Sequence, residues 1–383
     1  MSPATADRPT ALIFQKRLLR WSETFIAAQG GALSRYRPVF TGLQHTPGGA
    51  AYIDGYERSL LADHTTFLEL GKLSLKLLGR VPARWLKALR AQRPTILHAH
   101  FGTTAPTAIP VARALDIPLV VTYHGMDIAI KPRSSAELRE RARVFAAADR
   151  IIAVSGFIAD QLRAAGCPEE KITLHHIGID TDRFAPGDPT ERAPAQILFV
   201  GRLVAKKGLI HLLRAMPRIQ EAVGDAELII AGDGPLRAES EAEAAQLGVR
   251  ARFLGVQTPD QVRALMRQAT IFCSPSVVAA DGNAEGLPMT ILEAQAAGLP
   301  VVAFPSGGSA EGIVHGTTGL VAPPADEERL AQYAISLLTD RDKLAAFSAA
   351  AREHVVTNFD LKRQTALLEE IYDEVRAARG KTR

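Results

Sequence analysis

Two glutamates, Glu285 and Glu293, flank the run Gly286-Leu287-Pro288-Met289-Thr290-Ile291-Leu292. Pro288 suits the first position of a helix, where its missing N–H costs nothing, and Gly298 suits the left-handed position just past the helix end. On that reading Glu285 lies in the loop before the helix. Glu293 lies about a turn and a half inside it, with its side chain leaning back toward the N-terminus. A helix N-terminus offers unpaired N–H groups and a positive partial charge, which favour phosphate. An ionised carboxylate only accepts hydrogen bonds, which favours sugar hydroxyls. A ligand that is both phosphate and sugar would engage both. A pair of catalytic acids of the glycosidase kind is the other chemistry open to two carboxylates.

Cations come from a second segment. Gly201-Arg202-Leu203-Val204-Ala205-Lys206-Lys207-Gly208 directly follows the apolar run 196–200. Arg202 presents a planar fork for phosphate oxygens, and Lys207 a compact ammonium. The plainer reading is a basic surface loop. Gly232-Asp233-Gly234-Pro235 follows another apolar run, 227–231, and reads equally well as an ordinary turn. In His98-Ala99-His100, alternation along a strand puts both imidazoles on one face, so zinc is considered. No third and fourth ligand has suitable spacing, and structural histidines explain the pair better. His124 differs: it ends an apolar run, Gly125 follows, and Asp127 is three residues on. Such a histidine can donate to a sugar or phosphate oxygen. No Asp-x-Asp stands at a strand end, so Arg202 and Lys207, with no metal, are expected to neutralise a diphosphate. Neither a P-loop nor Gly-x-Ser-x-Gly is present.

These residues need elements to hold them. Runs 11–15, 95–99, 118–122 and 150–154 read as buried parallel strands, with helices over 103–115, 134–148 and 156–166 between them. Ser22 is placed to cap the helical pattern that follows it. Residues 178–195, rich in Pro, Asp and Gly, read as a linker. The alternation then restarts with strands at 196–200, 227–231, 252–254, 270–273, 300–303 and 319–321, and the chain is helical from about 325 onward. This is an α/β protein with two doubly wound sheets, whose ligand is expected in a cleft at the carboxyl ends of the strands.

The bulk properties agree. A chain of 383 residues suits two domains, and 47% hydrophobic with 22% charged residues suits a globular protein. Two cysteines without a pairing pattern imply a reduced, cytoplasmic setting. No signal-peptide core and no apolar run of roughly 20 residues is present. The net charge of +4 is uneven: residues 1–190 carry 24 Lys/Arg against 17 Asp/Glu, and the remainder 21 against 24. Within the basic half, residues 72–93 place Lys72, Lys76, Arg80, Arg84, Lys87, Arg90 and Arg93 mostly on one helical face, with leucines and Trp85 opposite, and Pro82 divides the stretch. An anionic membrane surface and a solvated helix face both fit. Nucleic acid does not, because no aromatic residues interleave the charges.

Taken together, SETFI (22–26), HAHFG (98–102), HGMD (124–127), AVS (153–155), IGID with Phe184, GRL…KKG (201–208), AGDGP (231–235), FLGV (253–256), EGLP…E (285–293), GG…E (307–311) and TGL (318–320) resemble the retaining glycosyltransferases of family 4. The resemblance is closest to bacterial exopolysaccharide enzymes of the colanic-acid or amylovoran type. It implies the GT-B fold: two Rossmann-like domains facing across a cleft, over residues 1–185 and 186–365, with a C-terminal helix over 366–383 returning to the first. It implies a nucleotide diphosphate sugar, UDP- or GDP-linked, as donor and no further cofactor. By this resemblance Arg202 and Lys207 bind the diphosphate, and Gly201 and Gly232 line that site. Glu293 accepts from the ribose, Val256 lies against the base, and Glu285 with the backbone of Gly286, Leu287 and Pro288 holds the donor sugar. His124 touches that sugar near the reaction centre. The acceptor enters from the N-terminal side, near Ser22, Glu23, His98 and Asp127, and a polyprenyl-diphosphate-linked glycan at the cytoplasmic membrane face suits the basic N-terminal half. Two positions depart from the family pattern: no Gly-Gly pair directly follows the first strand, and Ala205 stands where Glu is frequent. A sugar-nucleotide 2-epimerase and a non-catalytic scaffold of a polysaccharide assembly complex are the other readings of the same architecture.

Overall fold

The computed structural model describes residues 8–20, 23–188 and 195–381. They form two compact units: unit 1 ends at Gly178 and resumes at Leu361, and unit 2 runs from Ile179 to Asp360. The boundaries expected at 185/186 and 365/366 therefore fall at 178/179 and 360/361. Hydrogen bonding sets the difference. The Ile179 N–H donates to the Phe359 carbonyl at 2.8 Å, and the Thr181 hydroxyl to Asp360 at 2.8 Å. Residues 179–188, expected as linker, thus already belong to unit 2, and 189–194 lie outside the described residues.

Unit 1 contains β1 (Thr10–Phe14), β2 (Arg17–Leu18), β3 (Arg37–Gly42), β4 (Gln44–His45), β5 (Arg58–Leu60), β6 (Pro94–His100), β7 (Leu119–Tyr123), β8 (Arg150–Ala153) and β9 (Ile172–Leu174). Unit 2 contains β10 (Gln196–Val200), β11 (Glu227–Ala231), β12 (Ala251–Gly255), β13 (Ile271–Ser274), β14 (Val301–Ala303) and β15 (Gly319–Val321). The first sheet has the order β5-β3-β1-β6-β7-β8-β9 and the second β12-β11-β10-β13-β14-β15. Strands in both pair parallel, and β2 and β4 make a separate short pair. In each sheet the order reverses at one place, between β1 and β6 and between β10 and β13. Ligands of doubly wound sheets bind beyond the strand ends at such a reversal.

Both faces of the second sheet are buried, which explains why its strands read as unbroken apolar runs. Ile197, Phe199, Leu228 and Ile230 pack on one side with Leu212 and Met216 of the helix Leu209–Ala222 and Leu330 and Ala334 of Glu327–Thr339. Leu198, Ile229, Phe272 and Val301 pack on the other with Met266 and Ile291. Unit 1 closes differently. The helix Leu361–Lys381 contributes Leu368, Tyr372 and Val375 to a core shared with Ile13, Phe40, Ile96 and Val120. Its Glu369, fully buried, accepts from the backbone N–H groups of Arg35 and Tyr36 at 2.7 and 3.2 Å.

Three strands of the first sheet, β3, β5 and β9, were not apparent as apolar runs, and neither was the short β2–β4 pair. In β3, Pro38 obscures the pattern. Arg37 donates its N–H to Pro9 on the β1 side and Phe40 donates to Glu57 on the β5 side, so the nitrogen of Pro38 faces the β5 side. Pairing there starts only at Phe40 with Arg58, and the missing donor goes unneeded. The helix after Glu285 spans Met289–Ala296, with Pro288 as its N-cap and not its first residue, and Gly298 adopts φ 72° as expected. The basic stretch forms a helix Leu68–Leu73 running into a π-helical turn Ser74–Leu78, a left-handed Gly79, and a helix Ala83–Ala91 begun by Pro82.

Candidate active site

In unit 2 the loops leaving β10, β11 and β12 interlock at the carboxyl edge of the sheet. Gly201 donates to Ala231, Leu203 to Asp233 and Gly232 to Gly255, at 2.8–3.0 Å. The seam requires glycine. Gly232 has φ 145°, and a Cβ there would lie 1.9 Å from the Gly201 carbonyl oxygen. Gly208, with φ 64°, ends the cationic loop, and a Cβ there would meet the Pro275 carbonyl at 1.9 Å. The loop after β10 is thereby clamped against the segment leaving β13, across the strand reversal.

That clamp brings the cations to Glu285. Its carboxylate lies 2.9 Å from Lys207 Nζ and 3.5 Å from Lys206 Nζ, and Ser276 Oγ donates to it at 3.4 Å. Glu285 is 7% exposed. Burial alone would raise its pKa, but the Lys207 and Lys206 ammonium groups outweigh burial and hold the carboxyl below its ordinary range. Its backbone carbonyl accepts from Gly308, tying in the GG…E segment. Gly286, Leu287 and Pro288 are buried, whereas Arg202 is exposed and, among the described residues, its guanidinium has no partner. Glu293 is the opposite of Glu285. Burial pushes its carboxyl up to about 7, with only Arg183 pulling the other way. Val256 is 62% exposed beyond the end of β12.

Lys206 and Ser276 were not singled out from the sequence. The doubled lysine before Gly208 was a signal for Lys206. Ser276 carried none, because its contact depends on how the segment after β13 folds back to bring Glu285 beside it.

In unit 1 the ends of β6 and β7 bring three histidines together. His98 is fully buried, with Nδ1 2.6 Å from the Tyr372 hydroxyl and Nε2 2.6 Å from Thr122 Oγ1. Both ring nitrogens are occupied, so His98 is a structural residue and the expectation that it meets the acceptor is corrected. His100 stacks on it, with centroids 4.3 Å apart, and its Nδ1 lies 3.2 Å from His124 Nε2. His124 is partly exposed and packs against Phe101 and Phe25. Asp127 also departs from the acceptor role. Its carboxylate accepts from the backbone N–H groups of Gly102, His124 and Gly125 at 2.7–3.1 Å, which pins the loop carrying His124. Burial raises this carboxyl, with the three N–H bonds pulling it back. Glu23 is 8% exposed and accepts from the Arg20 N–H, so it serves its own turn. Ser22 lies outside the described residues.

Solved structures share this fold. That of Anabaena HepE in complex with UDP superposes with a TM-score of 0.77 at 18% identity, covering 96% of this chain and 100% of that one. The architecture is therefore that of the GT-B glycosyltransferases. Sequence comparison specifies the family. Residues 45–183 match the family described as Glycosyltransferase Family 4, and residues 180–354 match Glycosyl transferases group 1. WcaL of Escherichia coli K12, a glycosyltransferase named for colanic acid biosynthesis, is 33% identical over 70% of this chain and 68% of its own. The amylovoran biosynthesis glycosyltransferase AmsK of Erwinia amylovora is 31% identical over 69% and 66%. The GDP-mannose-dependent alpha-(1-6)-phosphatidylinositol monomannoside mannosyltransferase of Mycobacterium tuberculosis H37Rv is 33% identical over 68% and 71%. The chain belongs to glycosyltransferase family 4 and is a glycosyltransferase.

Proposed function

We propose that this enzyme transfers a hexose from a UDP- or GDP-sugar, with retention of anomeric configuration, to a polyprenyl-diphosphate-linked glycan in exopolysaccharide assembly. The observation that carries the reading is the Lys206–Glu285–Lys207 cluster beside the exposed Arg202, at the strand reversal of unit 2. A diphosphate takes Arg202 and Lys207 as counter-charges, assisted by the N–H groups at the start of the helix Met289–Ala296. Glu293 accepts from the ribose, and Val256 offers an apolar surface to the base. His124 is the unit 1 group that touches the donor sugar. The names of relatives and neighbours support such a donor: one depends on GDP-mannose, and another binds UDP.

Glu285 is a poor candidate for a covalent nucleophile. It is ionised, buried and paired on both oxygens. Front-face substitution fits better. The acceptor oxygen bonds to the anomeric carbon as the bond to the donor phosphate breaks on the same face, and the acceptor proton passes to the departing phosphate oxygen. Catalysis is then electrostatic stabilisation of the leaving diphosphate. Cationic side chains supply it, so no metal or other cofactor is needed.

The membrane-facing part of the reading rests on residues 67–78. Phe67, Leu70, Leu73, Leu77 and Leu78 are each at least half exposed there, interleaved with Lys72 and Lys76 and followed by Arg80. Exposed apolar side chains among cations suit an anionic lipid surface. Among the described residues no helix is long and apolar enough to cross a membrane. The reading as a whole is tested by thermal shift against a panel of nucleotides and sugar nucleotides, with and without EDTA. One donor should raise Tm specifically by mass action, equally in EDTA. Stabilisation by no nucleotide, or a shift abolished by EDTA, would count against it.

A further inference from the structure

The pair His100–His124 has a direction that its surroundings fix. His124 Nδ1 is buried and has no partner, while its Nε2 faces His100 Nδ1 at 3.2 Å. His100 is 1% exposed and its ring is fixed from below by His98, itself locked by Tyr372 and Thr122. One proton is shared between the two facing nitrogens. If His100 supplied it, neutral His124 would carry its own proton on Nδ1, a buried N–H with no acceptor. A bare Nδ1 lone pair is the cheaper orphan, because unpaired buried donors are rarer than under-used acceptors.

We propose that His100 is the positioning residue of this glycosyltransferase: it accepts from His124 Nε2–H and so holds His124 in one ring orientation and one tautomer, with Nδ1 unprotonated. The arrangement holds His124 in a single tautomer and ring orientation, whereas a freely rotating imidazole would sample both tautomers. Other features agree. Phe101 adopts φ 69°, a conformation uncommon outside glycine, and its ring is 4.4 Å from that of His124. Asp127 fixes the backbone of the same loop. All three imidazoles are neutral by burial, with His100 lowered to about 3. The chain of contacts therefore runs from Tyr372 to His124 without a charge in it. Its use in transfer rests on the proposed role of His124, but the tautomer itself does not.

The test separates these. Imidazole 15N spectra of the full-length protein, with His124 assigned by loss of its signals in His124→Ala, report the tautomer directly. Wild type should show a protonated Nε2 and a bare Nδ1. Asn places an acceptor oxygen near the Nδ1 position of His100, whereas Gln reaches too far and Leu has none. His100→Asn should keep the pattern and most of kcat. His100→Gln and His100→Leu should lose the single tautomer and about tenfold in kcat, with donor KM little changed. A protonated Nδ1 in wild type, or an unaltered His124 pattern in the Gln variant, would overturn the inference whatever the activity. Equal kcat in the Asn, Gln and Leu variants would overturn the positioning role. Full transfer by His124→Ala would instead count against the proposed role of His124.

Discussion

The two units manage charge in opposite ways. By composition, unit 1 carries 29 Lys/Arg against 18 Asp/Glu, and unit 2 carries 16 against 23. Yet the basic unit builds its row of histidines from neutral rings, and the acidic unit gathers three cations at one strand reversal. In unit 1 burial strips protons from His98, His100 and His124. In unit 2 burial of Glu285 is overcome by two ammonium groups, so the site stays ionic. Net charge therefore tells which surface a unit prefers as a whole, while the ligand chemistry is set by a few side chains that the fold brings within 3.5 Å.

Several changes would break this contrast. Removing a cation from the acidic unit should have the largest effect. Lys207→Ala or Arg202→Ala is expected to lower kcat/KM at least about a hundredfold with the circular-dichroism spectrum unchanged. Near-normal turnover in either would end the diphosphate assignment. Glu285→Gln leaves two lysines facing each other without a counter-charge. It should cost about 3 kcal/mol and lower Tm by roughly 6–12 °C at neutral pH. Because the folded pKa of Glu285 is depressed, its contribution is present above its ordinary pKa of 4.5 and fades as pH falls through the lower folded value. The Tm gap between wild type and variant should close in acid.

Glu293 sharpens the comparison from within unit 2, as a carboxyl there that burial shifts toward its neutral form just as it shifts the histidines of unit 1. Its pKa of about 7 is raised, so ionising it costs stability, increasingly as pH climbs from about 4.5 to above 7. Glu293→Gln should therefore raise Tm by a few degrees at pH 8 and by almost nothing at pH 5. The ionised form is the ribose acceptor, so wild-type donor KM should fall as pH rises through 7, and that dependence should vanish in the variant. The smallest effect is expected at the exposed apolar row. Leu73→Ser with Leu77→Ser should weaken binding to anionic vesicles a few-fold in a sedimentation assay, without changing turnover of a soluble acceptor. Unchanged binding would show that the exposed apolar row makes no lipid contact and that any attraction to vesicles comes from the basic charge of unit 1 alone.

The sequence made the second sheet almost wholly legible, because strands buried on both faces announce themselves as apolar runs. β3, β5 and β9 escaped because they are short or interrupted, and pairing supplied what composition did not. At the site, glycines and cations at strand exits were readable as local motifs. The Lys206–Glu285 contact was not, since it joins segments 79 residues apart across a strand reversal, and the Ser276–Glu285 contact was not, since it depends on how the chain folds back over the 9 positions that separate them. His98 read as structural on spacing alone, but the partner that makes it so, Tyr372, comes from 274 residues away.

That last contact bears on how the chain is made. Unit 2 is an insertion in unit 1, and its two ends meet where Ile179 bridges Asp360. A ribosome that has released residues up to 178 has not yet made the helix that buries Glu369 beneath Ser34 to Tyr36 and caps His98. Unit 2 can complete its core first, while the first-synthesised sheet waits with one face uncovered. A chain stopped at residue 360 would hold every proposed donor contact of unit 2 and still lack what keeps the histidine row of unit 1 dry.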